Sequence, residues 1–132
     1  MILIDAGPMV ALINANDSHH DSCLAIMKKI RPPLWTVWPA VTEAMYLLED
    51  FRAQDALWQM IFREVIKIEP LNPQDLHAIR DLMEKYRNLP MDLADAALMR
   101  IAERRGIQTV FTLDKRDFSV YRVRRKQLRV IP

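Results

Sequence analysis

Met1-Ile2-Leu3-Ile4 is apolar at every position and stops abruptly at Asp5, and a later run, Thr109-Val110-Phe111-Thr112-Leu113, stops in the same way at Asp114. A strand with no polar face must be covered on both sides, the condition of a parallel sheet packed between helices. Helical segments separate the strand-like runs. Right-handed βαβ crossovers then put every strand end on one edge of the sheet, with the start of each following helix close by. The expected class is α/β. With 132 residues and 51% hydrophobic content, one domain spanning residues 1–132 has enough apolar material to build its own core.

Gly7-Pro8 allows a tight turn into a helix through Met9, Val10, Leu12 and Ile13. Asn16-Asp17-Ser18 turns the chain into a second helix, His19 to Ile30, and Leu34 to Trp38 reads as a strand. Pro39 opens a helix carrying Val41, Ala44, Met45, Leu47, Leu48 and Phe51. Asp50 to Ala53 reads as a break, after which Leu57, Trp58, Ile61 and Phe62 build a fourth helix, and Val65 to Ile68 reads as a short strand. Asn72-Pro73 starts a helix to about Arg87, which Pro90 stops. Leu128 to Ile131 forms a closing strand. The apolar residues between Met45 and Phe62 exceed one buried stripe, which fits either a thick core or a surface for another chain.

The segment Asp92-Leu93-Ala94-Asp95-Ala96 opens the best-defined helix, capped by Asp92 and ended at Gly106 after Arg105. On its wheel Asp95 lies about 110° from the centre of the apolar stripe and Asp92 about 170°, so Asp95 flanks the buried face while Asp92 points to solvent, away from any cleft. Alone, an Asp-x-x-Asp pair does no more than cap a helix and complement its dipole. Its meaning changes because Asp5, Glu43 and Asp114 are expected at the same sheet edge. Four carboxylates crowded together repel unless a cation neutralises them, and an oxygen-only donor set selects Mg²⁺ or Mn²⁺.

Other chemistries lack their parts. Two glycines in the whole chain leave no phosphate-cradling loop or dinucleotide fingerprint, and there is no Gly-x-Ser-x-Gly elbow. Cys23 is the only cysteine, which excludes an intrachain disulfide and a cysteine zinc site and suits a reducing cytoplasm. His19 and His20 diverge by about 100° on a helix and cannot easily share an ion. No apolar run is long enough to span a bilayer. The net charge of +2 hides a cluster: Lys115, Arg116, Arg122, Arg124, Arg125, Lys126 and Arg129 face one acid, Asp117. Such a cluster is either a solvated surface or a site for a phosphate backbone.

Ile4-Asp5-Ala6-Gly7-Pro8, Glu43, Asp92-Leu93-Ala94-Asp95-Ala96 and Thr112-Leu113-Asp114-Lys115-Arg116-Asp117-Phe118 together resemble the motifs of the PIN-domain family, and more narrowly the VapC-like toxins of toxin-antitoxin pairs. The resemblance implies a three-layer α/β/α sandwich around a parallel sheet, Mg²⁺-dependent endoribonuclease activity, a homodimer, and a cognate antitoxin that blocks the site. By position, Asp5 and Asp95 match the metal-holding acids, Glu43 and Asp114 those that complete the site, and Thr112 the hydroxyl ahead of the last acid; Asp92 and Asp117 look auxiliary. Ala6 stands where many relatives carry Thr or Ser.

These readings converge on a ribonuclease in which Asp5, Asp95 and Asp114, assisted by Glu43, hold one or two Mg²⁺. RNA is expected to lie along Lys115, Arg116, Arg122, Arg124 and Arg125. A phosphotransfer or phosphatase-type Mg²⁺ domain is the rival, but phosphatases of that kind need a second Asp at the place of Gly7, and the acidic pair of a receiver is missing. A catalytically silent binding module is the other rival; the full set of acids argues against it.

Overall fold

The computed structural model describes residues 1–89 and 91–132, so the helix stop expected at Pro90 lies outside the described residues. In chain order the elements are β1 (Ile2–Ile4), α1 (Ala6–Ile13), α2 (His20–Lys29), β2 (Leu34–Thr36), α3 (Trp38–Leu48), α4 (Phe51–Phe62), β3 (Ile66–Ile68), α5 (Pro73–Lys85), α6 (Leu93–Arg105), β4 (Thr109–Phe111), α7 (Lys115–Val120), β5 (Arg122–Val123), β6 (Lys126–Gln127) and β7 (Arg129–Ile131). Five strands form one parallel sheet in the order β3-β2-β1-β4-β7, flanked by helices as a three-layer α/β/α sandwich.

The all-apolar β1 lies in the middle of that sheet, with Leu3 and Ile4 fully buried. Leu34, Ile66, Val110 and Phe111 complete the strand part of the core; Met9, Ala44, Leu57, Leu98 and Ile101 supply the helical part. Three Asp residues start helices by the same local chemistry. The side chains of Asp50, Asp92 and Asp114 accept from the backbone N–H of Ala53, Asp95 and Asp117 at 2.9, 2.8 and 3.1 Å. Gly106 ends α6 in the left-handed conformation at φ 67°, where a side chain would be strained.

Ion pairs tie the β3–α5 connection to the last turns of α6. Arg104 and Arg105 reach Glu69 at 3.3 and 2.8 Å, and the Nε of Arg100 meets Asp75, which is 1% exposed, at 2.7 Å. Burial works against the charge on Asp75, but the Asn72 N–H and the guanidinium groups of Arg100 and Arg104 outweigh it and hold the carboxyl below its ordinary range.

The C-terminal third departs from the sequence reading. β4 ends at Phe111, not Leu113, because the Thr112 hydroxyl accepts from the Asp114 N–H at 3.0 Å and turns the chain out of the sheet. Asp114 then caps a short helix, α7, that was not expected, although Asp114-x-x-Asp117 has the same capping spacing as Asp92-x-x-Asp95. The antiparallel hairpin β5–β6 was not expected either. The break between α3 and α4 narrows to Glu49-Asp50, and α5 stops at Lys85.

Candidate active-site cleft

The chain leaves β1 to one side for β2 and β3, then crosses to the other side for β4 and β7. In an open α/β sheet the crevice for a ligand lies where strand order reverses, beyond the carboxyl ends, which here means above β1 and β4. Asp5 follows β1 directly and Thr112 to Asp114 follow β4. A Cβ placed on Gly7 would stand 3.4 Å from the Leu113 side chain, so the glycine lets these two connections approach closely. Glu43 comes from α3, and Asp92 and Asp95 come from the first turn of α6.

These groups line one open cleft of about 430 Å³, with Asp5, Glu43, Asp92, Asp95, Thr112 and Asp114 as its polar wall. The four acids expected to converge do so. Asp5, 8% exposed, is held at both oxygens: Oδ1 accepts from the Ala6 N–H at 2.8 Å and Oδ2 from the Thr112 hydroxyl at 3.0 Å. The hydroxyl missing at Ala6 is thus matched by a backbone donor on one side and Thr112 on the other. Glu43 is exposed at the rim.

Two placements differ from expectation. Asp92 is exposed and caps α6 as anticipated, yet it does not face away from the cleft: it is part of its wall. A helix wheel gives the direction of the side chain from the axis, but at the N-cap the backbone has left the helical path, so the wheel angle no longer applies. Asp117 is closer in than an auxiliary position suggests, because one carboxylate oxygen each from Asp95, Asp114 and Asp117 lies within 4.8 Å of the others.

Sequence reasoning missed Tyr121. It is fully buried, and its hydroxyl donates to Asp95 Oδ2 at 3.0 Å. Edge contacts to Tyr86 and Phe118, with ring centroids 5.0 and 5.2 Å away, fix the ring. No motif marks Tyr121, since its partner lies 26 positions back in the chain. The basic residues are divided. Lys115 and Arg116 follow Asp114 at the start of α7, whereas the Arg122 Nη1 is spent on the carbonyls of Ser119, Val120 and Tyr121 at 2.6, 2.8 and 3.0 Å.

Crowding sets the protonation of the cleft. Burial first, then Asp92 and Asp5, push the Asp95 carboxyl up to about 8, against the opposing hydrogen bond from Tyr121. Burial also raises Asp5, helped by Asp92 and Asp114, and raises Glu43 with help from Asp5 and Asp92. Asp117 is raised by desolvation and by Asp114. The Tyr121 hydroxyl is pushed up by burial and by the Asp95 charge, so it stays a donor at any ordinary pH. An oxygen-only cluster built around the buried Asp5 and Asp95, in which Asp5, Glu43, Asp95 and Asp117 resist ionisation, fits a hard divalent cation.

The family model of the PIN domain matches residues 2–125. Among solved structures, the chain is similar to that of VapC20 of Mycobacterium tuberculosis, described as a Sarcin-Ricin loop cleaving toxin. The TM-score is 0.80 and the identity 19%, over 88% of this chain and 92% of that one, a likeness of fold. No curated protein matches the sequence.

Proposed function

This chain belongs to the PIN domain family, and from that premise we propose that it is a divalent-metal-dependent endoribonuclease, acting as the toxin of a toxin-antitoxin pair. The observation that carries this reading is the convergence of Asp5, Glu43, Asp92, Asp95 and Asp114, from four separate stretches of chain, on one open cleft at the switch point of the sheet. The similarity to a toxin that cleaves the Sarcin-Ricin loop supports the choice of RNA.

Asp5, Asp95 and Asp114 are the residues that would hold Mg²⁺ or Mn²⁺, with Asp117 close enough to contribute an oxygen. When bound, the ion supplies an activated water and offsets the charge of the phosphodiester. The protein does the positioning. Thr112 and the Ala6 N–H orient the two oxygens of Asp5, Tyr121 orients Asp95, and Glu43, a cleft-lining carboxylate held above its ordinary range, would serve as the proton acceptor. Lys115 and Arg116, exposed beside Asp114, give the RNA backbone a cationic flank. The test is cleavage of a labelled RNA in Mg²⁺: cut products that disappear with a chelator support the reading, and cleavage indifferent to the chelator defeats it.

Removing the Tyr121 hydroxyl isolates its positioning role. Tyr121→Phe keeps the packing against Tyr86 and Phe118, so the protein should stay folded while affinity for Mn²⁺ falls about tenfold, the usual size of such an orienting effect. Titration calorimetry with Mn²⁺ reads this directly, and unchanged affinity would show that Asp95 needs no orienting bond.

We assign the exposed faces of α3 and α4 to a homodimer or antitoxin interface in a cytoplasmic protein. Tyr46, Leu47, Phe51 and Phe62 are 82, 49, 73 and 66% exposed, and Trp58 stacks on Phe62 at 5.8 Å, more apolar surface than a solvated face needs. Light scattering should give a dimer mass for the protein alone. A monodisperse monomer whose antitoxin binding survives Trp58→Asp and Phe62→Asp would remove this assignment. Among the described residues no helix is long and apolar enough to cross a membrane.

A further inference from the structure

The β5–β6 hairpin closes through only two residues, Arg124 and Arg125, since Val123 pairs with Lys126. Both have positive φ, 51° and 70°, which makes the connection a type I′ turn. That turn fits the twist of a hairpin, but its backbone suits Asn-Gly; two side chains with a full Cβ and a long stem are strained there. Strain of this kind is kept where the side chains are needed. The two arginines are exposed, as are the neighbouring Lys126 and Arg129, and none of the four forms an ion pair among the described residues.

The hairpin also has a fixed position relative to the cleft. Just before it, Tyr121 bonds to Asp95, and at its tip Arg124 donates to the Glu103 carbonyl at 3.3 Å. Glu103 is eight residues beyond Asp95 on α6, so the tip stands about 12 Å from the acids along the helix axis. It packs over the amino end of β4, where Arg124, Lys126 and Arg129 line a second cavity of about 380 Å³ with Gly106 and Gln108. Arg124, Lys126 and Arg129 therefore stand at the opposite end of α6 from the acids, whereas Lys115 and Arg116 flank the cleft itself. A cleft walled by five carboxylates repels a polyanion, and the two cations beside it, Lys115 and Arg116, are fewer than those acids, so further attraction for RNA has to come from elsewhere on the surface.

We propose that the Arg124-Arg125 turn, with Lys126 and Arg129, is an RNA exosite that grips phosphates about 12 Å from the acid cleft, and that the turn keeps strained arginines for this purpose. The inference rests on the ribonuclease reading of the cleft. At a spacing of ~3.4 Å per phosphate along one strand of a duplex, the gap spans about four phosphates, so a dinucleotide engages one end only and a longer RNA engages both.

The experiment compares the full chain with R124N/R125G and with R124K/R125K, each carrying Asp5→Asn so that RNA is bound without being cut. The probe is a fluorescein-labelled RNA hairpin of about 20 nucleotides, long enough to reach both ends, read by anisotropy over a range of NaCl concentrations. R124N/R125G should melt higher, by roughly 5 °C, because Asn-Gly relieves the turn. It should also bind about tenfold or more weakly, with the log-log salt slope flatter by up to about two units for two lost cations. R124K/R125K should keep the affinity of the parent. A rise in melting temperature with unchanged affinity and slope overturns the exosite, as does a fall in melting temperature, which would mean the turn is unstrained. Loss of binding in the lysine variant would refute the charge basis. If the parent binds no RNA at all, the ribonuclease reading falls with it; if the parent binds and R124N/R125G binds equally well, only the exosite does.

Discussion

Asn in place of Asp5 or Asp95 should lower RNA cleavage by at least about a hundredfold while the protein stays folded. The amide keeps the size of the side chain and its acceptor oxygen, so the bonds from Ala6 to Asp5 and from Tyr121 to Asp95 can survive. What goes is the anionic oxygen, and Mg²⁺ gives up its water only to strong anionic donors. Asp92→Asn is the control. Asn caps a helix as well as Asp, and position 92 lies in the cleft wall without belonging to the close Asp95-Asp114-Asp117 group, so a much smaller loss is expected. Cleavage assays with and without chelator, alongside metal titration of each variant, check this. Full activity in Asp95→Asn with loss in Asp92→Asn would overturn the site. Stability should move the other way. At pH 9 the metal-free Asp95→Asn protein should melt above wild type, because a charge has been removed from a repelling cluster, and the gain should shrink at pH 6, where Asp95 is already protonated.

Metal-free wild type should lose stability steadily as the pH rises from about 5 to about 8, and divalent metal should reverse the loss. Asp95 titrates near 8 in the folded protein and near the ordinary aspartate value of 3.8 when unfolded. Between those values the folded state holds a proton that the unfolded state has released, so raising the pH favours unfolding, by at most about 1.4 kcal/mol per pH unit for one proton. Asp5 and Glu43 are shifted in the same direction and add to the slope. Asp75 works oppositely: its folded pKa is lowered, so its contribution is complete above the unfolded value and disappears as the pH falls through the folded one. The metal-free protein should therefore be most stable near pH 4 to 5. Since the acids must ionise to bind a cation, Mn²⁺ affinity should rise with pH and binding should release protons. Thermal melts across this range, with chelator and with Mn²⁺, test both halves. A melting temperature that is flat or rising between pH 5 and 8 without metal would mean the carboxylates are not crowded as described.

Local chemistry could be read from the chain without its fold. Of the apolar run Met1 to Ile4, Leu3 and Ile4 are fully buried at the sheet centre while Met1 stays outside the strand and exposed, and α6 begins at Leu93 and ends at Arg105, between the Asp92 cap and Gly106, as the sequence suggests. Those features depend on hydrophobic period, caps and turns, which involve residues within a few positions of each other. Asp5, Glu43, Asp95 and Asp114 could be assigned to one edge because connection handedness orders strand ends even when no contact is known. The α7 helix was legible in principle from Asp114-x-x-Asp117, but six residues are too few to show a hydrophobic period.

Only the tertiary structure decided which groups touch. The bond from Thr112 to Asp5 spans 107 positions and that from Tyr121 to Asp95 spans 26, and neither residue type at either place signals its partner. Asp92 belongs to the cleft wall because its extended N-cap backbone leaves the path of α6, which a helix wheel does not represent. The basic stretch from Lys115 to Arg129 reads as one patch in the sequence, but folding separates it. Lys115 and Arg116 stay beside the acids, Arg122 turns onto the end of α7, and Arg124 and Arg129 lie at the far end of α6. Charge counts are properties of the chain, whereas distances between charges come from packing, and electrostatic energy depends on the distances.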